Sequence, residues 1–306
     1  MSAALGPINL DNRQPTRLKN TKCAYCHSDF LRYDEPQKEH VIGKNFVPKG
    51  SHEQHWNLLL NACHACNQSK AALENDISAV TMVRAKFDEV DFDLRLQSEA
   101  ARKSKATSRL TDKSVFSSFE DFANSGRLGD ADFSIGFRAP PQADDERMFR
   151  LACYQLQGFH YLLTSDEEKN QGYGWRGSIA PLDAVRRSDW GNPLIVSFAK
   201  IVEDWHMRLT THTASGYFRA LIKKGPSAEV WSWALEWNKN YRVFGLYGDN
   251  NVLDTLKSPL ASAFADMELL WQYHLPNQRI RPELPHDEAS DLFFFVRDGS
   301  DGEEPS

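Results

Sequence analysis

Two stretches of the chain set cysteines three apart: KCAYCHSDF, with Cys23 and Cys26, and NACHACNQSK, with Cys63 and Cys66. Two such pairs offer four soft thiolates, each pair able to approach one ion, and together they suit a tetrahedral structural zinc. Zinc binding supplies on the order of 10 kcal/mol of apparent folding free energy, enough to fold a segment too short to bury a large core. Two other chemistries use the same spacing. CAYCH matches a c-type haem tether with His27 as axial ligand. That chemistry belongs to exported chains, and MSAALGPINLDNRQPTRLKN has no apolar stretch of an export signal. A redox pair would sit at the strand-to-helix turn of a βαβ unit, which neither CxxC does. The fifth cysteine, Cys153, lies on an apolar helical face and reads as a small core residue.

The loop between the knuckles carries EHVIG, with Glu39 and His40, and then WNLLLNACHACNQSK, with Asn57, Asn67 and Lys70. The order Cys-x2-Cys, Glu-His-Val-Ile, Asn-Leu, Cys-x2-Cys-Asn-x2-Lys resembles the HNH endonuclease family and its zinc-stapled ββα-metal fold. The resemblance covers residues 21–75, and none is found for residues 111–306. It implies that His40 is the general base, that Glu39 and Asn67 hold a catalytic Mg²⁺ or Mn²⁺, and that Asn57 braces the loop and orients the histidine. Lys70, one helical turn beyond Asn67, would contact phosphate, and Lys44 and Lys49 would join it if DNA lay across their loop. The family often has Asp where this chain has Glu39. On that account a zinc-folded nucleic-acid or protein-interaction module without catalysis stays open as the alternative.

Elementary chemistry supports such a set. Hydrolysis of a phosphodiester needs a proton acceptor of near-neutral pKa, which imidazole supplies, and an electrophile for the phosphoryl oxygens. Carboxylate and amide oxygens are the hard ligands that Mg²⁺ and Mn²⁺ prefer. Consecutive strand residues point to opposite faces, so Glu39 and His40 can share a site only where the strand bends.

The elements that must position these groups are legible in outline. Residues 1–20 read as an extended arm and residues 21–110 as the zinc-braced ββα module with following helices. Residues 111–298 read as a larger α+β domain with an antiparallel sheet, and 299–306 as a disordered tail. After the second knuckle, AALENDISAVTMVRAKF has helical spacing, and a further helix over 93–106 ends in ARKSKATSR, a basic and solvated run. DERMFRLACYQLQGFHYLLT, NPLIVSFAKIVEDWHMRL and SPLASAFADMELLWQYH read as helices. GYFRALIKK, EVWSWALEWN, YRVFGLYG, a short DFSIGF and a late DLFFFVR read as strands. In EVWSWALEWN, Trp231, Trp233, Leu235 and Trp237 alternate with Ser232, Ala234 and Glu236, the period of a strand with one buried face.

Composition bounds the rest. The chain of 306 residues is 41% hydrophobic with a formal charge of −6, and has no apolar run long enough to span a membrane; a cytoplasmic, reducing setting is expected. Residues 1–110 hold 16 Lys+Arg against 13 Asp+Glu, while the remainder hold 20 against 29. A mildly basic front fits phosphate contact there, with DNA the expected partner and RNA open. A protein partner or small ligand would engage residues 111–298. Bacterial HNH proteins with an unrelated second domain resemble components of antiviral defence or restriction systems.

Overall fold

In a computed structural model, the residues described are 8–10, 14–30, 35–83, 93–118, 120–128, 131–166, 172–173, 177–226, 230–265, 271–272, 279–280, 283–286 and 291. The fold is α+β, as expected. A three-stranded sheet of order β2-β4-β3 is formed by Thr16–Arg17 (β2), Gln37–His40 (β3) and Leu58–Ala62 (β4), followed by helix His64–Thr81 (α1). β3 and β4 are antiparallel with Glu39 opposite Leu60, and β2 runs parallel to β4. This is a ββα unit with one added strand. Leu94–Ser104 (α2) follows, and then an isolated hairpin of Glu120–Leu128 (β5) and Ala131–Ala139 (β6).

The second sheet has the order β1-β8-β9-β10-β11-β7. Its strands are Ile8–Asn9 (β1), Ser178–Arg186 (β7), His206–Thr213 (β8), Phe218–Lys224 (β9), Val230–Trp237 (β10) and Tyr241–Gly248 (β11). All neighbours are antiparallel except β1, which joins β8 in parallel. Helix Asp145–Leu163 (α3) covers one face; Pro193–Ile201 (α4) and Asn250–Ala265 (α5) cover the other. The alternation in β10 therefore has two buried destinations. Trp233, Leu235 and Trp237 face the main core, and Ala234 faces the α4–α5 cluster. Glu236 is buried too, paired with Arg242. The single buried face expected of this strand is corrected accordingly: tertiary cover decides what the period alone cannot.

Other expectations are corrected by long-range pairing. The N-terminal arm is extended, but its two short strands enter both sheets. The reading of NPLIVSFAKIVEDWHMRL as one helix fails at Ile201, after which His206–Thr213 is strand. α5 begins eight residues before the segment assigned to it and carries Pro259 inside. The basic run ARKSKATSR is not uniformly solvated. Lys103 is buried and donates to Asn45 O and to Ser78 Oγ. Of the late strand DLFFFVR only Asp291 falls among the described residues, and the tail 299–306 lies outside them.

A boundary near residue 110 separates stretches of sequence but not cores. One apolar cluster runs from Tyr25, Ile42, Phe46 and Trp56 into Phe159, Phe218 and Trp237. Trp56 stacks with Phe159 at 6.3 Å, and Phe46 meets Trp237 edge-on at 5.4 Å. Burial of each such ring contributes roughly 2–3 kcal/mol. α3 approaches the loop after β3 so closely that a Cβ on Gly158 would lie 2.5 Å from Val41 Cγ2. A helical glycine costs about 1 kcal/mol relative to alanine, and here its missing Cβ lets the helix dock. Among the described residues no helix is long and apolar enough to cross a membrane.

Candidate metal centre and cleft

The four cysteines converge. Their sulfurs all lie within 4.8 Å of one another, with Cys26 and Cys63 3.8 Å apart. A tetrahedron with metal–sulfur bonds of about 2.3 Å has edges of about 3.8 Å. The same separation is far too long for a disulfide, whose S–S bond is about 2.05 Å. Backbone geometry builds each knuckle. Cys23 accepts from His27 N at 2.9 Å, and Cys23 N donates to Ser28 O at 2.9 Å. His27 closes this turn in the left-handed region, φ 60°, and its ring stacks 6.5 Å from Tyr161. Cys63 stands at the N-cap of α1 but makes no side-chain cap, because its sulfur is turned to the tetrad.

Charge explains why such a cluster takes a cation. Burial pushes the Cys23 thiol up, and burial with the surrounding sulfurs pushes Cys66 up much further. For Cys26 burial acts in the same direction, yet hydrogen bonding from Ser28 prevails and lowers it to about 7. Four thiolates this close ionise together only around a positive charge. A four-cysteine zinc site fits these residues. Cys153, on α3, lies outside the tetrad, its thiol raised to about 11 by burial.

From Cys66 a stripe at four-residue spacing runs along α1 through Lys70 to Glu74. Lys70 is fully buried, and its ammonium donates to Glu39 Oε1 and Glu74 Oε1, both at 2.6 Å, and to His40 O at 2.9 Å. The expectation that Lys70 contacts phosphate is therefore corrected: its charge is consumed inside the module. Burial alone would lower its pKa, but the two carboxylates more than reverse that. Glu74 is pushed up, by burial first and by Glu39 beside it, against the pull of Lys70. Glu74 also accepts from Gly43 N at 3.0 Å. A Cβ on Gly43 would sit 2.2 Å from that carboxylate, which accounts for glycine in EHVIG. Sequence reasoning missed Glu74, although its i,i+4 spacing from Lys70 was a usable signal.

Past His40 the chain bends at residues 41–42, and Glu39 and His40 both line one cleft of about 630 Å³ with Gln68, Glu74 and Asn75 of α1. The bend the sequence required is present. His40 is half-buried and its ring makes no hydrogen bond among the described residues. Burial, followed by the charges of Lys44, Lys70 and Lys38, lowers its pKa below the ordinary imidazole value. Asn57 is buried; it donates to Ile42 O at 2.8 Å and accepts from Leu58 N at 2.8 Å. It thus pins the bend directly after His40.

Asn67 goes elsewhere. Its amide donates to Gln37 Oε1 at 2.7 Å, and Gln37 in turn meets His64 Nδ1 at 2.8 Å. It does not line the cleft with Glu39 and His40, so the ligand role carried over to it is not supported by its position. Lys44 is exposed and lines the cleft; Lys49 is exposed away from it, its carbonyl accepting from Arg95. His52, with both ring nitrogens buried, is held down to about 4, by burial first and then by the charges of His40, His55 and Lys44, against a pull upward from the Gly43 backbone. Arg109, which no motif marked, reaches the cleft from the loop after α2. No family model, curated protein or solved structure matches this chain.

Proposed function

We propose that the protein is a metal-dependent endonuclease, with the cleft at His40 as its active site and DNA as its substrate. The observation that carries this reading is the junction of β3 and α1: an unpartnered imidazole, neutral at physiological pH, shares a solvent-open cleft with two carboxylates beside a four-sulfur site. In this reading His40 accepts the proton of the attacking water. Asn57 holds the bend that aims it. A divalent ion bound in the cleft would polarise the phosphoryl group and neutralise the leaving oxygen. Glu39 and Glu74 are the residues that would hold it, since each has one carboxylate oxygen, Oε2, outside the Lys70 contacts. Asn67 braces β3 against α1 through Gln37.

The hydrogen bonds that Asn67 donates and Glu39 accepts favour a second reading, a zinc-folded module that binds nucleic acid or protein without cutting. Nicking of supercoiled plasmid in Mg²⁺ or Mn²⁺ separates the two. The nuclease reading expects cutting that falls at least a hundredfold in His40→Ala while zinc content and melting temperature stay unchanged. Equal nicking by that variant refutes the role of His40, and no nicking by the wild-type chain favours the second reading.

A further inference from the structure

Resting on the nuclease reading, the geometry points to Arg109 and Lys44 as a phosphate clamp on the cleft, with buried Asp76 as the residue that positions it. Both cations are exposed, both line the cleft, and neither makes an ion pair among the described residues. Lys70, the cation the motif offered for this task, is consumed by Glu39 and Glu74. Among the described residues that line the cleft, Lys44 and Arg109 are the cations without an ion pair.

Arg109 is held on a built loop. Ser108 N donates to Lys113 O at 2.8 Å and Asp112 N to Ser108 O at 3.1 Å; Thr107 and Ser114 form a bridge across its base. The loop is fastened to α1 by Asp76, a fully buried carboxylate. It accepts from Arg109 N at 2.8 Å and from Leu110 N at 3.2 Å. Its other partners are Arg147 of α3 at 2.6 Å and Asn75 at 3.2 Å. Asn75, itself a cleft residue, also donates to Thr107 O at 3.2 Å. The opposing loop is anchored as firmly: Gly43 N bonds Glu74, and Lys103 donates to Asn45 O. Anchored loops spare the cost of ordering backbone when a ligand arrives, leaving only that of the two side chains. Phosphate diesters, one charge per nucleotide, are the ligand class that such a pair serves without reading bases.

The test uses the full-length, zinc-loaded chain carrying His40→Ala, so that DNA stays intact. Anisotropy of a fluorescent duplex is followed from 50 to 300 mM salt. Adding Arg109→Ala is expected to weaken binding about fivefold and to flatten the slope of log affinity against log salt by about 0.9. Lys44→Ala should act alike, Arg109→Lys should keep most of the slope, and Arg102→Ala, an exposed cation paired with Glu99, should change neither quantity. Asp76→Asn should mimic Arg109→Ala and add nothing to it in the double variant; additive losses would remove its positioning role. Should it not fold, the Arg109 variants decide alone. A slope unchanged by Arg109→Ala overturns the clamp, while plasmid nicking by the chain with His40 intact still tests the nuclease reading separately. Poly-glutamate that competes as well as DNA of equal charge overturns the assignment to phosphate. A parent chain that neither binds nor cuts any nucleic acid sinks the clamp and the nuclease reading together.

Discussion

Two charged clusters share helix α1, and they meet the problem of burial in opposite ways. At its first turn four sulfurs crowd together with no cation of their own. One turn further along, two carboxylates crowd together around an ammonium that the chain itself supplies. The first cluster suits a structural metal such as zinc, and binding one would link its folding to that ion. The second is neutralised to a net charge of −1 by Lys70 and can form before any metal arrives. Along one helix, then, one end suits a structural metal such as zinc, and the other holds two carboxylates at a cleft around an internal cation.

The sharpest way to break this contrast is to remove the first ion. Cys63→Ser, or a chelator, should withdraw zinc binding worth on the order of 10 kcal/mol, more than the whole stability of an ordinary domain. The expected outcome is loss of one zinc per chain by metal analysis together with collapse of the cooperative melt. Since the core is continuous, α3 and the large sheet should melt with the module. A variant that keeps its melting temperature without zinc would show that the tetrad is not a folding element.

Removing the internal cation should cost less and respond to a different ion. Lys70→Met leaves Glu39 and Glu74 facing one another in a buried setting, which destabilises by about 3–5 kcal/mol. Mn²⁺ or Mg²⁺ should recover part of that loss in urea unfolding if the two carboxylates are the ligands of the cleft, and zinc content should not change. Stabilisation by Mn²⁺ that is equal in Lys70→Met and Glu74→Gln would place the ion elsewhere.

How much of this contrast could be read from sequence depends on the range of the interactions. The tetrad was legible because two CxxC pairs carry their own geometry. The second cluster was not. A lysine near an asparagine on a helix reads as an exposed cation, and only the fold brings Glu39, 31 residues away, onto it. Arg109 and Asp76 were invisible for the same reason: their relation runs through backbone N–H groups of a loop that no periodicity describes. In the large sheet the contiguous strands β9, β10 and β11 were legible as strand-like segments, β10 by its alternation. β7, β8 and the short β1 were not, because their strand character comes from partners far away in sequence.

The large sheet offers a third treatment of a buried titratable group, a pKa lowered by burial. His160 of α3 is buried against Tyr247 and Trp231, and burial, with His27 nearby, lowers its pKa to about 4. Its unfolded value is about 6.5. Between these values the unfolded chain binds the proton and the folded chain does not, so stability falls as pH falls through that window. The full difference, reached near pH 4, is about 3 kcal/mol. Urea unfolding from pH 7 to 4.5 should show this loss, and His160→Phe should flatten it. An unchanged pH slope in that variant would assign the loss to other groups, His52 foremost, whose pKa is also held down to about 4.

The smallest expected effect tests the joint between the two regions. At the tip of the β10–β11 hairpin, Asn240 donates to Thr81 O at 2.9 Å and Val83 O at 3.0 Å. Asn238 donates to Phe46 O at 3.1 Å and Thr81 Oγ1 at 2.9 Å. The hairpin thus supplies side-chain donors where the last turn of α1 has run out of backbone partners. Asn240→Ala leaves two carbonyls without that donor and should destabilise by about 1–2 kcal/mol. Asn238 has φ 53°, so Asn238→Ala adds left-handed strain of about 1 kcal/mol that Asn238→Gly avoids. Comparing the two variants isolates the hydrogen bonds from the backbone term. Hydrogen exchange gives the positional readout: if the hairpin tip caps the helix, Asn240→Ala should raise exchange in the last turn of α1 while the turn holding Cys66 stays protected. Faster exchange along the entire helix would mean instead that the sheet supports α1 through packing alone.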